Sequence, residues 1–104
     1  MTTSNRRTRR PSLPGEILVD LYLEPHEISI AAFAVACGVT RKHMSGIVHG
    51  HVGITAEMAA RIAATLGTTA QYWLNLQNAV DLYDAERRLA TSNSRPQLLP
   101  AFAS

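Results

Sequence analysis

The chain has 104 residues, 46% of them hydrophobic, a length that supports one compact domain with a modest core and some tail. No apolar run approaches the ~18 residues of a membrane span and the N-terminus is polar and basic, so neither a secretory leader nor a membrane partner is expected and the expected location is cytoplasmic. The formal net charge of +2 is unevenly placed: Arg6, Arg7, Arg9 and Arg10 hold four of the ten cations, and residues 11–104 carry six cations against eight acids, a net of −2.

In chain order, residues 1–13 lack periodicity and read as a flexible basic arm. A run such as Asn5-Arg-Arg-Thr-Arg-Arg10 supplies phosphate contacts or enters a minor groove in some proteins and is a solvated leader in others. Pro14 suits the first position of a helix, where its missing N–H costs nothing, and Glu16 suits the positive end of the helix dipole. Ile17, Leu18 and Leu21 give this first helix an inward stripe, and Pro25 is expected to end it near Leu23 or Glu24.

Ile30, Phe33, Ala34 and Cys37 follow i, i+3, i+4, i+7 spacing, the buried face of a second helix that stops where Gly38 adopts positive φ. On that stripe Cys37 reads as a packing residue, and a lone thiol forms neither an internal disulfide nor a multi-thiolate metal site. Thr40 is placed to cap a third helix, with Val39 and Met44 at the spacing of a hydrophobic staple. Met44, Ile47 and Val48 then point one way, and Arg41, Lys42, Ser45 and His49 the other. Two short helices around a tight turn, the second with its cations outward, outline a helix-turn-helix reader of double-stranded DNA. An amphipathic helix with merely solvated charges has the same periodicity.

After the loop His49-Gly-His-Val-Gly53, Thr55 opens a fourth helix with Ala59, Ile62, Ala63 and Leu66 inward and Gly67 closing it. Thr68 with Gln71 has capping-box spacing for a longer fifth helix through about Leu89. Its apolar arc, which includes Trp73, Tyr72, Leu76, Ala79, Val80 and Tyr83, is wider than one small core covers. Tyr72, Leu76, Ala79, Val80 and Tyr83 are therefore the expected interface of a homodimer, the form in which a helix-turn-helix reaches two half-sites of a palindromic operator; leader or tail residues folding back over the stripe are the alternative. Residues 91–104 read as a flexible tail in which Leu98, Leu99 and Phe102 are candidate anchors. The expected organisation is thus an arm over 1–13, an all-α five-helix domain over 14–90 and a tail over 91–104.

The segment Pro14 to Asp84 resembles the HigA family of antitoxins, within the Cro/cI-type (lambda-repressor-like) helix-turn-helix superfamily. The resemblance rests on Pro14-Gly-Glu-Ile-Leu18, Tyr22-Leu-Glu-Pro25, the helix-turn-helix, Gly53-Ile-Thr55, Leu66-Gly-Thr68 and, most specifically, Tyr72-Trp-Leu-Asn-Leu-Gln77 followed by Asp81-Leu82. It implies a Cro/cI-type fold whose longer C-terminal helix dimerises. It also implies a sequence-specific DNA-binding antitoxin of a type II toxin-antitoxin pair that represses its own operon and neutralises a HigB-type mRNA ribonuclease toxin. Carried onto this chain, the recognition residues are Thr40, Arg41, Lys42, Ser45 and Gly46. Arg41 and Lys42 face base edges, Thr40 and Ser45 phosphates, and His49, Arg9 and Arg10 complete the expected DNA contacts. Three positions depart from the family pattern: Ile30 stands where Gln is frequent, Gly46 lacks a side chain at a frequent base contact, and His51-Val52 lacks a cation after Gly50. A free-standing transcriptional regulator without a toxin, and a toxin-binding module with vestigial DNA binding, stay open as alternatives.

His43, His49 and His51 have no carboxylate or thiolate near them in sequence, and no nucleophile-elbow, phosphate-loop or metallohydrolase pattern is present. No metal, cofactor or enzymatic activity is expected. A DNA-bound repressor would associate with the nucleoid.

Overall fold

The computed structural model describes residues 9–103. The first helix, α1, starts with Pro14 over Pro14–Leu18, and Glu16 accepts the Leu13 N–H at 2.9 Å, satisfying a donor that Leu13 itself has no side chain to reciprocate. The helix then widens into a π turn over Val19–Leu23 and tightens into a 3₁₀ turn over Glu24–His26. Pro25 has no N–H to offer the carbonyl four residues back, so it breaks the α ladder; in the first turn of the 3₁₀ segment that N–H is not needed. Helical winding therefore extends to His26, beyond the expected end at Leu23 or Glu24, and stops where Glu27 turns left-handed with φ 54°.

The second helix, α2, spans Ile30–Cys37 and is capped by Ser29, whose hydroxyl accepts the Ala32 N–H at 3.0 Å. Gly38 ends it at φ 76°, with its own N–H and that of Val39 bonded back to Val35 and Ala34, a left-handed closure that a Cβ would strain. Helices α3 (Arg41–Val48) and α4 (Ala56–Leu66) are capped by Thr40 and Thr55, as their positions predict.

The fifth helix, α5, spans Ala70–Ala90, and its cap is Thr69, whose hydroxyl accepts the Tyr72 N–H at 3.2 Å. The expected capping box of Thr68 and Gln71 does not form. Thr68 instead accepts the Trp73 indole N–H at 2.8 Å, and Gln71 bonds Asn75. A final 3₁₀ turn, Pro100–Phe102, lies in the tail.

One core joins all five helices: Leu18, Leu23, Phe33, Met44, Ile47, Met58, Ile62 and Trp73 are buried in it. Trp73 is fully enclosed, with the ring of Tyr72 set edge-on at 5.0 Å and that of Tyr22 tilted at 5.6 Å. Its only polar atom is the one bonded to Thr68, so a large apolar ring is buried without an unmet donor. Burial pushes the Tyr72 phenol up, assisted by the Tyr22 hydroxyl. Burial likewise raises the Cys37 thiol, in keeping with its place on the inner face of α2.

Candidate nucleic-acid interface

The site is built on α3, and its rigidity comes from below. Met44 and Ile47 are 0% and 2% exposed, so the inner face of α3 is fixed in the core. At its start the Thr40 hydroxyl accepts the His43 N–H at 3.1 Å, which sets the direction in which the helix leaves the turn. The C-terminal end of α3 is set against α1 at Gly15, where an added Cβ would fall 2.6 Å from the Val48 carbonyl oxygen and 2.7 Å from the Val48 Cα. Only hydrogen fits there.

Outward from this frame, Arg41, Lys42 and His43 are exposed, and among the described residues no ion pair or hydrogen bond engages the side chains of Arg41 or Lys42. Thr40, Arg41, Lys42, Ser45 and Gly46 line one open concavity of about 730 Å3, closed on the far side by His51 and Val52 of the following turn. The missing side chain of Gly46 is what admits Val52: a Cβ there would lie 2.9 Å from the Val52 Cγ2.

Thus five of the expected contact residues share one surface, and their exposed donors suit base edges and phosphates. His49 is placed differently. Its Nδ1 lies 2.8 Å from the Ser45 carbonyl oxygen and 3.3 Å from the Ser45 hydroxyl, and its ring stacks on that of His51 at 6.3 Å. A carbonyl only accepts, so Nδ1 is the donor, and the ring closes the last turn of its own helix.

The expected arm contacts divide. Arg9 is exposed, whereas Arg10 is taken up within the chain: its Nε and Nη2 donate to the two carboxylate oxygens of Asp84 at 2.9 and 2.7 Å. Arg10 is thus paired with α5, with its side chain still 47% exposed. Arg6 and Arg7 lie outside the described residues.

The expected dimer residues also divide. Val80 is 2% exposed and buried within the protomer, so its place in a dimer interface is corrected. Tyr72, Leu76, Ala79 and Tyr83 are half-buried, Tyr72 against Trp73 and Tyr83 beneath the Arg87 guanidinium, which also bonds its hydroxyl at 3.1 Å. The openly exposed large apolar residues of α5 are Leu82 at 60% and Leu89 at 45%. Their seven-residue spacing was a signal available in the sequence. Leu98, Leu99 and Phe102 of the tail are all exposed.

Among the described residues no group of three His, Cys, Asp or Glu side chains converges on a point where a metal ion would sit, and no helix is long and apolar enough to cross a membrane.

An all-helical core that presents a helix with exposed cations after a tight turn defines the chain as a helix-turn-helix protein. The chain belongs to the HigA-type family of helix-turn-helix antitoxins and transcriptional regulators, which are not enzymes. It is 46% identical over 80 residues to antitoxin HigA-1 of Vibrio cholerae, covering 77% of this chain and 75% of that protein. It is 42% identical over 84 residues to the helix-turn-helix regulator YbaQ of Escherichia coli K12, covering 81% and 74% respectively. Among solved structures, antitoxin GraA superposes with a TM-score of 0.79 at 38% identity, over 86% of this chain and 99% of that one. Pseudomonas aeruginosa antitoxin HigA with the higBA promoter superposes with a TM-score of 0.73 at 39% identity, over 86% and 100%. No protein-family model matches the chain.

Proposed function

We propose that this protein is a sequence-specific, homodimeric DNA-binding antitoxin: it occupies a palindromic operator to repress its own operon and neutralises a HigB-type mRNA ribonuclease toxin. The observation that carries the DNA-binding half is the outward pair Arg41 and Lys42, exposed and unpaired among the described residues, on a helix whose opposite face is fixed in the core. Guanidinium and ammonium groups at the start of such a helix donate to guanine O6 and N7, while Thr40 and Ser45 set register on phosphates. Relatives support the reading, since GraA has been solved in complex with its operator and P. aeruginosa HigA with the higBA promoter. The toxin-binding half follows from kinship with proteins named as antitoxins. Tyr72, Leu76, Ala79 and Tyr83, together with Leu82 and Leu89, are the residues we assign to the two-fold contact.

A footprinting titration on the region upstream of the gene, with and without the co-expressed product of the adjacent gene, tests all parts. The expected result is protection of two half-sites about 34 Å apart or a multiple of it, together with co-purification of the adjacent product. Absence of any preference over random duplex would refute operator binding, and a clean footprint without a binding partner would leave a free-standing regulator.

A further inference from the structure

The turn that follows the recognition helix brings an exposed apolar side chain up to a surface otherwise lined by polar donors. Of residues 40–53, Val52 is the one large apolar side chain left exposed, at 39%, and it closes the concavity that Arg41, Lys42, Ser45 and Gly46 line. It is also held in place. The Gly46 carbonyl accepts the His51 N–H at 2.8 Å and the Val52 N–H at 3.2 Å, and two residues on the Ile54 N–H donates to Gln77 Oε1 at 2.8 Å. The turn is thus pinned to α3 on one side and to α5 on the other. The isopropyl group lies over Gly46, where an added Cβ would stand 2.9 Å from the Val52 Cγ2 and 3.6 Å from its Cβ. Val52 therefore crowds the space that a side chain at position 46 would enter.

We propose that Val52 reads a base: its methyl groups pack on the C5-methyl of a thymine in the operator, beside the bases that Arg41 and Lys42 contact. The proposal rests on the operator-binding reading and adds to it a specificity-determining residue outside the recognition helix.

The chemistry of the groove selects the contact. Every base pair shows hydrogen-bonding groups in the major groove, and the one apolar group among them is the thymine methyl. An isopropyl group has no hydrogen bond to offer a phosphate or a guanine edge, and pressing it on such an edge would leave polar atoms unmet. Against a thymine methyl, both apolar groups leave water together, which favours thymine over cytosine at that position. Rigidity sharpens the choice, because a β-branched side chain on a turn bonded to α3 has little freedom to lose on contact. A protein partner is the weaker reading of the same surface. One exposed valine among cations is far smaller than the apolar centre of a protein interface.

Once footprinting has located the operator, each thymine of one half-site is replaced in turn by deoxyuridine, which lacks only the C5-methyl, and the dissociation constant of the full chain is measured on each duplex. One position is expected at which the unaltered chain binds the thymine duplex about fourfold more tightly than the deoxyuridine duplex, the contribution of one buried methyl group. Val52→Ala is expected to bind the two duplexes alike, whereas Val35→Ala, at an exposed valine of α2, keeps the difference. The readout is a ratio of two affinities of one variant, so any loss of folded protein cancels. Val52→Thr, which keeps the shape and exchanges one methyl for a hydroxyl, is expected to show a smaller difference than the unaltered chain. Absence of any thymine whose methyl matters, a difference that persists at full size in Val52→Ala, or its loss in Val35→Ala overturns the proposal. So does a Val52→Ala chain that binds both duplexes as the unaltered chain does but no longer captures the adjacent gene's product, which would assign the residue to a protein partner. Failure of the operator reading is distinct: it shows as no preference of the unaltered chain for operator over random duplex.

Discussion

The side chain of Gln77 on α5 holds the backbone of Ile54 in the loop that follows the recognition helix: the Ile54 N–H donates to Gln77 Oε1 at 2.8 Å, and Gln77 Nε2 donates to Asp81 at 3.0 Å. Ile54 is only 5% exposed, so its N–H has little access to water as a substitute. Gln77→Ala is expected to cost about 1–3 kcal/mol, the penalty of a buried donor left unmet. Gln77→Glu keeps an acceptor for Ile54 and should cost less, despite the new charge beside Asp81. Urea midpoints and the exchange rate of the Ile54 amide check both, and an amide equally protected in Gln77→Ala would show that the loop is held by other means.

Gly15 sets the seat of the recognition helix. A methyl there would overlap the backbone of Ile47 and Val48, which unlike a side-chain tip has no rotamer to escape into. Gly15→Ala is expected to destabilise the fold by about 1–3 kcal/mol and to reduce operator affinity as well, because α3 moves with the clash. Gly67→Ala is the contrasting case. Nothing lies within 4 Å of the added group, so only the strain of φ 72° remains, about 1–2 kcal/mol, with operator affinity of the folded protein unchanged. Thermal unfolding paired with DNA titration separates the two variants.

Thr40 and Arg41 are neighbours with separable roles. Thr40→Ala removes the acceptor for the His43 N–H and should cost about 0.5–2 kcal/mol of stability. Arg41→Ala, on an exposed side chain with no partner among the described residues, should change stability by less than about 0.5 kcal/mol. Its operator affinity should fall by about 1–3 kcal/mol, with preference relaxed at one base pair. Equal weakening of Arg41→Ala on operator and random duplexes would place the guanidinium on the backbone instead of a base.

What the sequence disclosed was local. The glycine closure at Gly38, the caps at Thr40 and Thr55 and the inner stripes of α2 and α4 all follow from residues within one or two turns of each other. Adjacent threonines hid the start of α5, since Thr68 and Thr69 both have capping chemistry. What decides between them is that the Trp73 indole claims Thr68. Arg10 and Asp84 stand 74 positions apart, so no spacing rule connects them. Val80 fitted an exposed stripe by periodicity alone, yet it is 2% exposed and lines one cleft with Arg10, Leu13 and Pro14, which have no period of their own. The motif pieces shared with the HigA family turn out to include much of this scaffolding: Gly15 seats α3, Thr68 satisfies Trp73, and Gln77 clasps Ile54. The proposed DNA-reading surface is built on Arg41 and Lys42, exposed on a helix whose inner face is fixed in the core.

The same ion pair makes stability depend on pH in one direction. Asp84 is held below the usual carboxylate range, first by the hydrogen bonds from Arg10, against a smaller opposing effect of burial, and then by the charges of Arg10 and Arg88. A carboxylate whose folded-state pKa is depressed binds a proton more readily in the unfolded chain. Its contribution is therefore complete above the unfolded value, about 3.9, and is lost as pH falls through the folded value below that. Asp84→Asn removes this contribution, so the gap in melting temperature between the unaltered chain and the variant should be constant near neutrality and narrow under acid. Because both partners are partly solvated, at 47% and 33% side-chain exposure, added salt should narrow the gap at neutral pH as well. A gap that widens on acidification would mean that Asp84 is protonated more easily in the folded chain than in the unfolded one.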